Sequence, residues 1–206
     1  MNQEASPKEL DLALESNIQT IKSAMGYSTD LVIKQFHIGY SKSVAAIIYM
    51  QGLIEFMHVQ KLMEDLIQHV PGIDQDQVNS HYARGNPIAY IKYFTSTLIP
   101  SEDVGSFQDV YSSILTGNTT LLINGHSMGI SFNTQGGERR NVQEPTAQSV
   151  IRGPREGFNE SLQTNISLIR RKIKDPNLWM EQVKIGRVTR TDVGIVYIKG
   201  IVSDKL

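Results

Sequence analysis

Apolar side chains recur along this sequence in short blocks whose period keeps switching between helical and extended. Leu10, Leu14, Ile18, Ile21 and Met25 follow helical spacing. They predict a helix over residues 8–25, with Ser6-Pro7 as its start. Residues 30–37 and 43–50 read as two strands around a turn at Gly39–Lys42. Val59, Leu62, Met63, Leu66, Ile67 and Val70 form a second amphipathic stripe, which Pro71-Gly72 stops. Residues 88–98 are apolar and fit either helix or strand. Ser106 and Asp109 form a capping-box pair ahead of Phe107, Val110, Tyr111, Ile114 and Leu115, and Gly117 stands where that helix ends. Residues 119–123 and 127–133 flank Asn124-Gly125, a hairpin signal. A further helix spans about 159–173, with Leu162, Ile166, Ile169 and Ile173 on one face. Its last turn carries Arg170, Arg171, Lys172 and Lys174, cations suited to the negative end of a helix dipole. Two strands close the pattern, 178–185 and 193–200. The second is so continuously apolar that burial on both faces is expected.

Hairpins alternating with helices predict an α/β fold of two small α/β subdomains with mixed β-sheets. The expected division is 1–102 and 103–206, with the halves meeting near residues 98–106. No internal repeat or low-complexity segment is expected. Residues 203–206 look like the cap and first turn of another helix, so a longer protein is expected, with a membrane region beyond 206.

Composition adds mainly exclusions. Of 206 residues, 40% are hydrophobic and 20% charged, ordinary for a globular chain. There is no cysteine, which removes disulfides, thiolate zinc sites and thiol nucleophiles. The net charge of −1 hides an asymmetry. Residues 1–137 carry seven basic and thirteen acidic side chains; the remainder carries thirteen basic and eight acidic. Two surfaces of different sign follow, but no dominant basic stripe of the kind nucleic-acid binding requires. The longest apolar runs, such as 44–50 and 193–198, are strand-sized and far below the roughly 18 residues of a spanning helix. Residues 1–10 are polar and acidic, unlike a secretory signal.

Catalytic chemistry is hard to place. The sequence has no phosphate-binding GxxxxGK[ST] loop, no GxGxxG, no GxSxG and no HExxH. His37, His58, His69, His81 and His126 are scattered without ligand spacing, so no metal, cofactor or enzymatic activity is expected. Glu64-Asp65 and the Asp74/Asp76 pair read as solvated faces. One segment stands apart: Glu144-Pro145, then Ile151-Arg152-Gly153-Pro154-Arg155-Glu156-Gly157-Phe158, then Asn159, Glu160, Asn165, Arg170 and Arg171. Two glycines and a proline constrain its backbone path. Arg152 and Arg155 bring forked donors close to a helix start. The segment suits an anion pocket, a charged interface, or a loop pinned internally by Glu144 and Glu156.

The same residues carry a family resemblance. The stretches 117–125, Glu144-Pro145, 151–158, 160–162, 164–166, 168–172, 175–178, 186–192 and 196–201 resemble the N-terminal domain of the A subunits of nutrient germinant receptors in spore-forming Firmicutes. The match is dense over about 106–206, and the string IRGPREGFxE is its most specific part. Asn124 stands where that family often has Asp, and Ala147-Gln148 where an acid is common. The resemblance implies a non-enzymatic domain facing the cytoplasm (the spore core side) ahead of membrane-spanning helices in the spore inner membrane. It implies B and C subunits as partners and a role in sensing, assembly and signalling. It also implies two α/β subdomains distantly similar to transporter ligand-binding proteins, so a nutrient held between the subdomains is the alternative reading.

Overall fold

The computed structural model describes residues 8–39, 43–69, 87–95, 99–136 and 157–202. In chain order its elements are α1 (Leu14–Ala24), β1 (Leu31–His37), β2 (Val44–Met50), α2 (Phe56–Glu64) running into one π-type turn (Asp65–His69), α3 (Pro87–Thr95), β3 (Ser101–Val104), α4 (Phe107–Leu115), β4 (Thr119–Ile123), β5 (Gly129–Phe132), α5 (Leu162–Lys172), β6 (Leu178–Ile185) and β7 (Thr191–Ile198).

Five strands form one sheet in the order β1-β2-β4-β5-β3, and β6 and β7 form a separate ribbon. The α/β composition is as the sequence predicts, but every ladder is antiparallel. Hairpins supply three of the five ladders, and a short connection can only reverse the chain. β2 explains why the sheet is covered on both sides. Its residues are apolar throughout, and six of the seven are buried. Ala45, Ile47 and Tyr49 join Val59, Leu62, Ile88 and Ile91 of α2 and α3 on one face. Ala46, Ile48 and Met50 join Leu14, Ile18, Ile21, Val110 and Ile114 of α1 and α4 on the other. A period-2 strand between two helical layers therefore builds two cores at once.

This sheet runs through the boundary expected near residues 102–103. β3 itself straddles that point, and β4 pairs with β2 through Ala45↔Ile123 to Ile48↔Thr120. Closing the sheet buries Leu121, Ile123, Ile130 and Phe132 against the same core as Ile47. The natural division instead falls between this layered unit and α5 with the β6–β7 ribbon.

Local signals explain most boundaries. Ser106 and Asp109 form the expected capping box, with Asp109 N donating to Ser106 Oγ at 3.2 Å and Ser106 N to the Asp109 carboxylate at 2.9 Å. Residues 88–95 are helical. α1 begins later than expected, because Leu10 is buried in the core and Asn17 brackets the preceding chain. Asp11 N donates to Asn17 Oδ1 at 2.8 Å, and Asn17 Nδ2 donates back to Asp11 O at 2.7 Å. Asn124-Gly125 is not a two-residue turn, since pairing begins only at Leu122↔Gly129. Asn124 Oδ1 instead accepts from Leu14 N at 3.1 Å and Gly125 N donates to Leu12 O, so the loop is spent on starting α1. The turn expected at 39–42 and the stop at 71–72 lie wholly or partly outside the described residues.

α5 begins in the same way as α1. Asn159 N donates to Asn165 Oδ1 at 2.7 Å, and Asn165 Nδ2 returns the bond to Asn159 O at 2.7 Å. The two starts read Asp-Leu-Ala-Leu-Glu-Ser-Asn-Ile (11–18) and Asn-Glu-Ser-Leu-Gln-Thr-Asn-Ile (159–166). Each helix is followed by an antiparallel hairpin. The expectation of no internal repeat is thereby corrected: the order helix, strand, strand occurs at both ends of the chain. The similarity was hidden because only Leu, Asn and Ile coincide.

Candidate functional site

The two units meet where α5 and the start of β6 dock on the turn between α1 and β1. That turn needs unusual backbone. Gly26 (φ +62°) and Tyr27 (φ +52°) both lie in the left-handed region. A β-carbon on Gly26 would fall 1.9 Å from the Trp179 ring, so only glycine admits the indole. Trp179 Nε1 donates to Ala24 O at 3.2 Å, and Lys199 Nζ lies 4.6 Å from the ring centre. The main chain of β6 is held as well. Thr29 N donates to Met180 O at 3.0 Å, and Met180 N donates to Ser28 Oγ at 2.9 Å.

Arg170 closes this joint. It is 1% exposed. Its Nε donates to Asp30 Oδ2 at 2.8 Å, its Nη2 to Asp30 Oδ1 at 3.0 Å, and its Nη1 to Leu178 O. Asp30 is also buried, and its backbone carbonyl accepts from Gln51 N at 2.8 Å. One guanidinium thus joins α5, the α1–β1 turn and β6. A bidentate fork is the geometry in which a buried ion pair offsets its desolvation.

The residues expected to act at a surface separate into three groups. Glu144, Arg152, Arg155 and Glu156 lie outside the described residues. Asn159 and Asn165 spend their amides on the α5 bracket. Arg170 is buried, which corrects its placement as an interface candidate, and Arg171 is half-buried with Nη2 donating to Gly136 O at 3.1 Å. What reaches solvent on that end of α5 is Lys172 and Lys174, one turn from the buried pair. Among the described residues no group of three or more His, Asp or Glu is arranged to hold a metal ion. No helix among them is long and apolar enough to cross a membrane.

β7 also departs from expectation. It is exposed or half-exposed along its whole length, not buried on both faces. It pairs only with β6, and α5 covers only the base of the ribbon, so the apolar run has one neighbour where β2 has two.

Comparison with known proteins gives a consistent set of relatives. Residues 19–206 match the sequence profile described as Bacillus/Clostridium GerA spore germination protein. Spore germination protein KA of Bacillus subtilis (strain 168) is 39% identical over 202 residues, covering 97% of this chain and 35% of that protein. Spore germination protein GerLA of Bacillus cereus is 29% identical, with 93% and 38% covered. The crystal structure of the N-terminal domain of the A subunit of the Bacillus megaterium spore germinant receptor GerK3 superposes with a TM-score of 0.75 at 32% identity, covering 98% of this chain and 70% of that one. The chain spans just over a third of the length of these two curated relatives.

Proposed function

This chain belongs to the Bacillus/Clostridium GerA spore germination protein family, and from that premise we propose that it serves as the N-terminal domain of a germinant receptor A subunit and couples the subunits of that receptor. The observation that carries the reading is the division of labour on the last turn of α5. Arg170 points inward and ties three elements together, while Lys172 and Lys174 point to solvent. A partner that binds the cations pulls on a helix that cannot move without the Asp30 turn and β6. Buried, well-packed joints of this kind pass displacement on as rigid bodies.

Charge supports the same role. The first 137 residues are acidic and the rest basic, an asymmetry that steers partners and sets their register. The partners we propose are the B and C subunits, with the complete subunit in the spore inner membrane and this domain on the core side. Direct capture of a nutrient is the rival role; the Asn159 and Asn165 amides, committed to backbone, do not serve it.

The test is co-purification of the full-length subunit with its B and C partners. Lys172→Glu together with Lys174→Glu is expected to reduce recovery of at least one partner while the subunit accumulates normally. Undiminished recovery of both partners removes the coupling surface from this end of α5.

A further inference from the structure

The β6–β7 ribbon ends in a tip that neither core explains. Eight cross-strand pairs run from Leu178↔Ile198 to Ile185↔Thr191, and residues 186–190 form the connecting loop. Its path is held by left-handed backbone at Gly186 (φ +92°) and Arg190 (φ +45°). Alternation places Val183, Ile185 and Ile195 on one face of the ribbon, where they stand exposed. Ile185 is 57% exposed, and Val188, at the apex, is 94% exposed. Lys184, Arg187 and Arg190 surround this apolar strip, all exposed. Only Lys184 is neutralised, by Asp192 at 3.2 Å. The acid on the apolar face, Glu181, lies nearer the base and accepts a hydrogen bond from Tyr197.

We propose that this tip docks on the surface of an anionic phospholipid bilayer, with Val188 and Ile185 entering the headgroup boundary and Lys184, Arg187 and Arg190 meeting the lipid phosphates. An apolar apex ringed by unpaired cations is poorly suited to water. It is matched by an interface that places negative charge above hydrocarbon. Shape favours a bilayer over an acidic protein. A convex loop of five residues cannot cover the roughly 800 Å² per partner of a stable protein interface, whereas a fluid surface accepts a convex probe. One relative is described as a membrane protein, and a tip held close to a bilayer by tethering needs only weak affinity of its own. The proposal does not rest on the coupling role.

Co-sedimentation of the 206-residue chain with lipid vesicles tests it. The chain is expected to bind vesicles rich in phosphatidylglycerol and not vesicles of phosphatidylcholine alone. Binding should weaken as salt is raised from about 50 to about 500 mM, since the Debye length falls with ionic strength. Arg187→Glu and Arg190→Glu should each lower partitioning about five-fold or more, and Val188→Ser should lower it with charge unchanged. Lys34→Glu, an exposed reversal of the same size on β1, should not. No binding to anionic vesicles at low salt overturns the proposal and leaves the cations to an acidic protein partner. Equal loss with Lys34→Glu, or unchanged binding by the tip variants, overturns it too.

Discussion

Arg170 and Asp30, 140 residues apart in the chain, form a fully buried bidentate ion pair that fastens α5 to the turn between α1 and β1. Breaking such a pair from one side leaves an uncompensated charge in the interior. Arg170→Ala and Asp30→Ala are each expected to cost about 3–5 kcal/mol in urea unfolding. Arg170→Lys should restore little, because an ammonium cannot bridge both carboxylate oxygens and Leu178 O at once. A loss below about 1 kcal/mol in both alanine variants would mean the pair is not what holds the units together.

Trp179 is the only tryptophan, so its fluorescence reports directly on ribbon docking. Gly26→Ala adds a methyl that would overlap the ring, at a left-handed position where alanine is strained. The expected result is a red-shifted emission and a destabilisation of about 1–3 kcal/mol, typical of forced overpacking. Unchanged emission would show that the indole is not seated on Gly26.

The two asparagine brackets predict similar costs at separate places. Asn17→Ala and Asn165→Ala each remove two backbone hydrogen bonds ahead of a helix. Each should destabilise by about 1–2 kcal/mol. The sites share no partner, so the double variant should lose close to the sum. Chemical denaturation of the two single variants and the double variant checks this.

Asp109 predicts a pH dependence. The Ser106 hydroxyl, opposed in part by burial and aided by the backbone N–H groups of Ser106 and Gly105, holds its carboxyl below the ordinary carboxylate range. A carboxyl lowered in the folded state stabilises fully above its unfolded value, near 4, and that contribution disappears as pH falls through the lower folded value. The stability gap between the native protein and Asp109→Asn should therefore narrow from pH 6 to pH 3. The group is exposed, so the change should stay within about 1 kcal/mol. A gap that widens on acidification would contradict the capping geometry.

The parts of the fold legible in the sequence are those set by near neighbours. The capping box at Ser106 and Asp109, the apolar run of β2 and the stripe of α5 needed only a few adjacent residues. The parts that were not legible depend on distant ones. Arg170 sits in the run Arg170-Arg171-Lys172, which reads as an exposed helix end, and nothing nearby reveals a carboxylate at Asp30. Asn124-Gly125 carries the signal of a tight hairpin, yet the distant N–H of Leu14 claims its side chain. Val193 to Ile198 looks like Val44 to Met50 in composition. Only the sheet order shows that β2 is central while β7 has one neighbour. The GerA family membership was legible from the 106–206 half, whereas the joint that we propose transmits a signal draws one of its two partners from the other half.

The coupling role is tested most directly in spores carrying the full-length receptor with Lys172→Glu and Lys174→Glu. Germination rate is measured against each nutrient the receptor serves, with receptor level measured in parallel. The account predicts slower germination with every nutrient to the same degree, at normal receptor level, because a coupling surface lies downstream of any ligand. Normal germination with every nutrient, or a defect confined to one, would contradict it.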